Sequence, residues 1–186
     1  MLSDAYTALW LLFFTVWLLA AFSGKRTIQR EAPTSRILYS VPVMLGFYLV
    51  FRPSHIVALD RTFVPDTQIN AISGLAMTAA GIALAFWARF NLGRNWSGTV
   101  TVKEDHRLIQ SGPYRFVRHP IYSGLLLAMA GTAIGAGRLS SLIGVAIAFL
   151  GFRSKWRIEE RFMQEQFGAR YVQYKRDVKA VIPGLL

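Results

Sequence analysis

The chain contains no cysteine, and this absence removes several kinds of chemistry at once. Without thiols, its 186 residues can form no disulfide, supply no thiolate nucleophile, hold no Cys-ligated zinc and carry no prenyl group of their own. Histidine is also scarce, since only His55, His106 and His119 occur, and their spacing matches no metal site. We therefore expect no metal cofactor.

The motifs of soluble nucleotide-binding proteins and of common hydrolases are missing too. No G-x-G-x-x-G follows a strand, and there is no P-loop, H-E-x-x-H or G-x-S-x-G. Acidic residues are few, with 10 against 21 basic ones and a net charge of +11. Nucleic-acid binding would place these cations along one face or arm, whereas here they lie between apolar runs. That pattern is typical of membrane-protein loops, so we expect no nucleic-acid partner.

Long apolar runs make up much of what is present. The chain is 53% hydrophobic, and its mean hydropathy is +0.35. Five runs predict transmembrane helices, although the last two are short for a bilayer, and they cover residues 5–22, 37–51, 69–86, 121–135 and 139–152. No basic residue precedes the first run, which favours an uncleaved anchor over a signal peptide. The predicted fold is an all-α, polytopic membrane protein.

The basic residues between these runs predict an orientation. They are frequent in segments 24–36, 89–120 and 153–186, whereas segment 52–68 is nearly balanced in charge and Arg138 stands alone between the last two runs. Because basic loops remain in the cytoplasm, the three rich segments should share the cytoplasmic side. The N-terminus would then lie outside and the C-terminus inside.

The C-terminal segment differs from the rest because it is charged as well as amphipathic. Its apolar residues recur at helical spacing on both sides of a break at Gly168. One interpretation is a helix lying on the lipid headgroups. The other is a lid that packs against the long third loop, and the pattern favours neither.

Polar side chains converge at the predicted cytoplasmic ends of the last two runs. His119 precedes Pro120, a favourable first helical residue, so the free N–H groups of that first turn should face the loop. Such a helix start can hold an anionic ligand group, and Tyr122 adds a hydroxyl. Isolated rings at an interface are more often anchors. Glu159 and Glu160 favour a functional site, because carboxylates near a membrane helix end are costly unless paired or used.

Three segments resemble the isoprenylcysteine carboxyl methyltransferase family and the related membrane phospholipid methyltransferases. They are NLGRNWSG, HRLIQSGPYRFVRHPIYSG and EERFMQEQFGARYVQYKRDVKAVIP. The run H-x-L-[IV]-x-x-G-x-Y-x-x-x-R-H-P-x-Y is specific, and the segments follow the family's order from Asn91 to Pro183. The resemblance divides the chain into N-terminal transmembrane helices, residues 1–90, and a catalytic half, residues 91–186.

The resemblance implies an integral membrane methyltransferase that uses S-adenosylmethionine and releases S-adenosylhomocysteine. The cofactor would occupy a cytoplasmic pocket capped by the C-terminal helical segment. Its implied binding residues are His106, Arg107, Leu108, Ile109, Tyr114, His119, Pro120, Ile121, Tyr122 and Glu159. The family's substrate-binding arginine falls on Lys155, a departure that leaves Arg157 or Arg153 as alternatives. The expected catalytic set is Lys155, Arg157 and Glu159.

The identity of the methyl acceptor stays open at this point. A carboxylate is ionised at neutral pH and needs no base, whereas an amine or thiol would need one, for which Glu159 or Glu160 are candidates. We expect a lipophilic acceptor from the bilayer, with a prenylcysteine-type carboxylate as one candidate. The alternatives are a phospholipid amine N-methyltransferase, an NADPH-dependent sterol-reductase-like oxidoreductase and a non-catalytic scaffold. We favour a prokaryotic inner membrane over the endoplasmic reticulum, with the active site facing the cytoplasm.

Overall fold

The chain folds into a bundle of apolar helices, seen in a computed structural model that describes residues 2–21, 26–52, 56–104 and 107–186. The described part contains six α-helices and one short antiparallel strand pair. They are α1 Leu2–Ala21, β1 Thr27–Arg30, α2 Pro33–Phe51, α3 Gln68–Leu92, β2 Thr101–Lys103, α4 Pro120–Ala136, α5 Leu139–Phe167 and α6 Ala169–Asp177. The predicted all-α membrane fold is confirmed.

Three of these helices are long and apolar enough to cross a membrane. They are α1, α2 and α3, the last continuing as a helix to Asn95. Helix α4 is apolar but shorter, with 17 residues. The number of five spans therefore remains a prediction, although the described residues of all five predicted runs are helical.

The fifth predicted run does not end where its apolar residues end. Helix α5 continues without interruption from Leu139 to Phe167, 29 residues, or roughly 43 Å. The start of the charged C-terminal segment is thus a continuation of the helix formed by the fifth apolar run. The predicted break at Gly168 is confirmed, because this residue ends α5 at φ 54°.

The connections between helices fall into two groups at opposite ends of the bundle. At one end, β1 pairs with β2, and the Arg118 backbone N–H donates to the Lys179 carbonyl at 2.8 Å. At the other end, the Phe63 N–H donates to the Gly137 carbonyl at 2.8 Å. The three segments rich in basic residues thus meet at one end, as their charge predicts. The strand pair itself was not predicted, since each strand has only three or four residues.

Glycines allow the helices that carry the site to pack closely. Helix α3 runs along α4, and α2 runs along α5. A Cβ atom on Gly124 would lie 2.5 Å from the Gly81 carbonyl oxygen, and one on Gly46 would lie 2.6 Å from that of Gly144. Close backbone contact through small residues is typical of membrane helices, and it fixes α4 and α5 relative to the other helices.

Candidate active site

A cavity of about 340 Å³ lies at the end of the bundle where the basic segments meet. Its polar lining comes from the third loop, α4, α5 and α6, and includes Asn95, Arg107, Arg118, His119, Tyr122, Lys155, Glu159, Tyr171 and Tyr174. We call these residues the polar wall. Its apolar lining from the first two helices consists of Phe13, Phe14, Trp17, Val43 and Phe47, which we call the apolar wall.

His119 stands at the start of α4 between two carboxylates. Its Nδ1 lies 3.5 Å from an oxygen of Glu159, and its Nε2 lies 3.2 Å from an oxygen of Glu160. Acceptors on both sides of an imidazole favour the form with a proton on both nitrogens. Burial lowers the pKa of His119, but Glu159 and Glu160 outweigh that effect and raise the pKa above its usual value. The two carboxylates therefore favour the charged form of His119.

Glu159 is the carboxylate that reaches the cavity. The Tyr122 hydroxyl donates to one of its oxygens at 2.5 Å, while His119 faces the other. Burial alone would raise the pKa of Glu159, but the hydrogen bond from His119 and the charge of Lys155 lower it below the usual value. The cavity therefore contains a fixed negative charge at this point.

Glu160 does not line the cavity but connects three segments of the chain. One of its oxygens accepts from Arg118 Nε at 2.8 Å, from Arg118 Nη2 at 2.6 Å and from His119 Nε2 at 3.2 Å. The other lies 2.9 Å from Lys175 Nζ on α6. Although burial raises the pKa of Glu160, these partners lower it to about 2. Glu160 thus holds α6 and the start of α4 against α5.

Lys155 supplies a positive charge to the same cavity. Its Nζ donates to the Gly98 carbonyl at 2.8 Å and lies 5.5 Å from the centre of the Tyr122 ring. Burial lowers the pKa of Lys155, while the charges of Glu159 and Glu31 oppose that shift. Lys155 and Glu159 thus line the same cavity.

The C-terminal segment packs over the cavity as a lid. Tyr174 of α6 donates its hydroxyl to the Tyr114 carbonyl at 2.5 Å, and both tyrosines line the cavity. The ring of Trp156 stacks on His119 at 6.0 Å between centroids. These contacts support the lid interpretation of this segment over a helix lying free on the headgroups.

Most of the residues expected at the site lie together. Those that line the cavity are Arg107, Leu108, Ile109, Tyr114, His119, Ile121, Tyr122, Lys155 and Glu159. Pro120 is buried behind this lining, Arg157 and Arg153 are exposed on α5, and His106 lies outside the described residues. The roles expected for all of them stay predictions. No group of three His, Asp or Glu side chains suited to a metal ion occurs in the part of the chain that the structure describes.

Two features of the site were not predicted from the sequence. The apolar wall belongs to the N-terminal part, which carries no motif, although aromatic residues recur along α1 and form ring contacts there. Glu31 is also buried, and it accepts from the Tyr39 hydroxyl at 2.5 Å and from the Val100 N–H at 3.1 Å. It thereby fixes segment 96–101, which forms one side of the cavity. A single acidic residue among the basic ones of the first loop was the available signal.

Apolar helices with a polar, lidded cavity at one end define a membrane enzyme rather than a pore or an anchor. The sequence profile described as phospholipid methyltransferase matches residues 69–170, which is more than half of the chain. The chain therefore belongs to the phospholipid methyltransferase family, which confirms the expected class of membrane methyltransferase.

Named relatives point to one branch of such enzymes. A probable protein-S-isoprenylcysteine O-methyltransferase of Oryza sativa subsp. indica is 28% identical over 89% of this chain and 86% of its own length. The human protein-S-isoprenylcysteine O-methyltransferase is 32% identical, over 67% of this chain and 46% of its own. A solved eukaryotic intramembrane Ras methyltransferase superposes with a TM-score of 0.57 at 25% identity, covering 85% of this chain and 55% of that one.

The lengths and sources of these relatives limit what they imply. The chain spans about half the length of the human protein and of the solved structure, and 57% of an Arabidopsis thaliana relative. The relatives named here are eukaryotic. They give no support to the expectation of a prokaryotic inner membrane, which was drawn from weak features of the sequence.

Proposed function

We propose that the protein transfers a methyl group from S-adenosylmethionine to the carboxylate of a lipophilic acceptor. One observation carries the proposal. Within a single cavity, the Glu159 carboxylate and the Lys155 amino group of the polar wall face an apolar wall of mainly aromatic side chains. A polar cofactor and a lipophilic acceptor can therefore meet there. The names of the relatives agree with this chemistry.

The polar wall suits the charges of S-adenosylmethionine. When bound, this cofactor supplies a methyl group on a positively charged sulfur, and its amino group is also a cation. The fixed charge of Glu159 would attract both groups, and the first turn of α4 after His119 would accept the cofactor's carboxylate. Arg107, Leu108, Ile109, Tyr114, Ile121 and Tyr122 would surround the cofactor, Pro120 would set the helix start, and His106 is proposed with them on the resemblance alone.

The state of Glu159 favours a carboxylate acceptor over an amine. An amine acceptor needs a base to remove its proton. Both oxygens of Glu159 are already engaged, by Tyr122 and His119, and its lowered pKa makes it a weak base. Glu160 is not available as this base either, because it does not line the cavity. A carboxylate needs no base, so positioning alone can support the transfer.

Lys155 is the cation proposed to orient that carboxylate. It lines the cavity, whereas Arg157 and Arg153 are exposed. An ammonium group offers a point charge rather than the planar fork of arginine, so it would bind the carboxylate with less directional constraint. The apolar wall would hold the acceptor's hydrocarbon, for which a prenyl group on cysteine is the leading candidate.

The proposed site faces the cytoplasm. It lies at the end of the bundle that gathers the basic segments, including β1 and the region around Arg118. Basic segments remain on the cytoplasmic side of a membrane. The lipid-modified acceptor would then approach from the bilayer and the cofactor from the aqueous side.

The test uses the purified chain in lipid nanodiscs with radiolabelled S-adenosylmethionine. We expect label in S-farnesylcysteine when its carboxylate is free, and none in its methyl ester or in phosphatidylethanolamine. Glu159→Gln should abolish transfer, while Glu165→Gln, at an exposed position of the same helix, should not. Label in phosphatidylethanolamine would establish amine methylation instead. Binding of NADPH but not S-adenosylhomocysteine would favour the reductase alternative.

A further inference from the structure

A second cavity lies on the outer face of α4 and α5, away from the active site. It has a volume of about 760 Å³, and its lining is almost wholly apolar. The residues that matter here are Leu126, Ala130, Ala146, Phe149, Leu150 and Val181. On α5 the lining extends from Leu142 to Leu150, or roughly 12 Å. We call this feature the outer groove.

Three arginines continue the face of α5 that lines the outer groove. Arg153 follows Phe149 by four residues, and Arg157 and Arg161 follow at the same interval. Residues spaced by four lie above one another on a helix. All three are exposed, and none donates a hydrogen bond or forms an ion pair within the described ranges. The apolar outer groove is thus followed, on the same face of α5, by a row of exposed arginine side chains.

The depth of this junction matches the boundary of a bilayer. Arg153 and Ser123 each lie about fifteen residues from the turn at Gly137 and Arg138 that joins α4 to α5. Antiparallel helices of equal rise therefore place Arg153 level with the start of α4. Ser123 is one turn from the polar end of that helix. The long arginine side chains can reach the headgroups from here while the groove remains among the acyl chains.

The outer groove does not communicate with the catalytic cavity. Leu125 of α4 lines the cavity and Leu126 lines the groove, so the helix separates them. Above the helix, the His119 N–H donates to the Ala180 carbonyl at 2.8 Å, and Ser123 Oγ donates to the Val181 carbonyl at 2.6 Å. These bonds hold residues 180 and 181 against the start of α4, between the groove and His119. A molecule in the groove is therefore not the acceptor in its reacting position.

We propose that the outer groove binds one anionic phospholipid, with an acyl chain in the groove and its phosphate at Arg153 and Arg157. Guanidinium groups bind phosphate oxygens through paired hydrogen bonds. Basic residues just cytoplasmic of a membrane helix attract anionic lipids in particular. An acidic protein segment could match the arginines but would leave the apolar groove empty, so the combination of both features favours a lipid.

The test measures the melting temperature of the detergent-purified chain with added phosphatidylglycerol or phosphatidylcholine. We expect phosphatidylglycerol to raise it by several degrees and phosphatidylcholine to have at most a small effect. The double variant Arg153→Gln and Arg157→Gln should lose the phosphatidylglycerol shift. Ala146→Trp should lose it too, because the indole would fill the groove from an exposed position and leave the core intact. Arg176→Gln, at an exposed arginine of α6, is the matched control and should keep it.

Each other outcome contradicts the proposal. Equal shifts with both lipids would show that binding does not depend on the net negative charge of the headgroup. A full shift in Ala146→Trp would place the lipid elsewhere, and a loss in Arg176→Gln would indicate diffuse attraction to the whole basic surface. If soluble glycerol phosphate gives the same shift, no acyl chain is bound. If a polyglutamate peptide does so, the arginines dock a protein segment instead.

Discussion

The polar wall and the apolar wall of the cavity come from different parts of the chain and are held by different forces. Except for Tyr171 and Tyr174, the polar wall lies within residues 69–170, which match the family profile, and ionic contacts such as those of Glu159 and Glu160 fix its side chains. The apolar wall lies before residue 69, on α1 and α2, and is held by ring contacts such as that of Phe13 with Trp17. In the proposed function, the polar wall supports the chemistry and the apolar wall selects the acceptor.

Ionic contacts and aromatic ring contacts should respond differently to substitution. A buried charge whose partner is removed keeps its desolvation cost, so deleting one member of an ionic network is strongly destabilising. A ring at a cavity wall can be replaced by a smaller side chain with a smaller loss, because the cavity already borders it. Substitutions should therefore have large effects on one wall and graded effects on the other.

The largest expected effect is that of Glu160→Ala. The change leaves the cations of Arg118, His119 and Lys175 without their shared partner, so we expect a loss of about 3–5 kcal/mol in the free energy of unfolding. Thermal unfolding in detergent would measure it. Glu165→Ala, at an exposed site one turn further along α5, should cost almost nothing. Similar losses in the two variants would refute the role of Glu160.

Lys155→Met should have the next largest effect, and it should act on the acceptor. Removing the ammonium group takes away the proposed partner of the carboxylate, so kcat/KM for the acceptor should fall by roughly 10- to 100-fold. The affinity for S-adenosylhomocysteine should change little. Steady-state kinetics and calorimetric titration measure the two quantities. An equal loss in cofactor affinity would mean that Lys155 belongs to the cofactor site.

Phe47→Ala tests the apolar wall and should have a smaller effect. The lost ring contact should raise the KM of a farnesylated acceptor by about tenfold or less. Full burial of a side chain contributes at least about 1.5 kcal/mol, or roughly tenfold, and one ring at the cavity wall covers only part of the acceptor chain. A shorter acceptor chain should be affected less. If the KM is unchanged for every chain length, the acceptor does not use this wall.

The pH dependence of stability should show the smallest effect. Because the folded state raises the pKa of His119, its ionic contribution is complete below about pH 6.5 and is lost as the pH rises through the higher folded pKa. Glu159 and Glu160, whose pKa values are lowered, stay ionised throughout this range. Melting temperatures of the wild type should therefore fall between pH 6.5 and 8 relative to those of His119→Gln. Parallel curves would contradict a charged His119.

Features that depend on local sequence could be predicted, whereas those that depend on tertiary contacts could not. Apolar runs predicted the helices, and the charged loops predicted which segments meet. The charged residues that follow the apolar part of α5 suggested that a new element begins there. Charged residues end a hydrophobic run but need not end a helix, and α5 continues to Phe167. The strand pair was too short to recognise.

Within the site, the choice between Lys155 and Arg157 also depends on tertiary contacts and could not be made from the sequence. Two residues apart on a helix, these side chains point in roughly opposite directions, about 200° apart at 3.6 residues per turn. Spacing placed both at the cytoplasmic end of α5 but could not say which one faces inward. Only the packing of α5 against the other helices turns Lys155 into the cavity and Arg157 outward. The apolar wall was missed for the same reason.

The most direct test of the division between the walls is calorimetric titration of S-adenosylhomocysteine into the wild type, Glu159→Gln and Phe47→Ala. Glu159→Gln should weaken binding by about tenfold or more, because it removes the negative charge proposed to face the cofactor's amino cation. Phe47→Ala should leave the affinity within about twofold. If Phe47→Ala weakens binding more than Glu159→Gln does, the cofactor does not lie on the polar wall and the account is wrong.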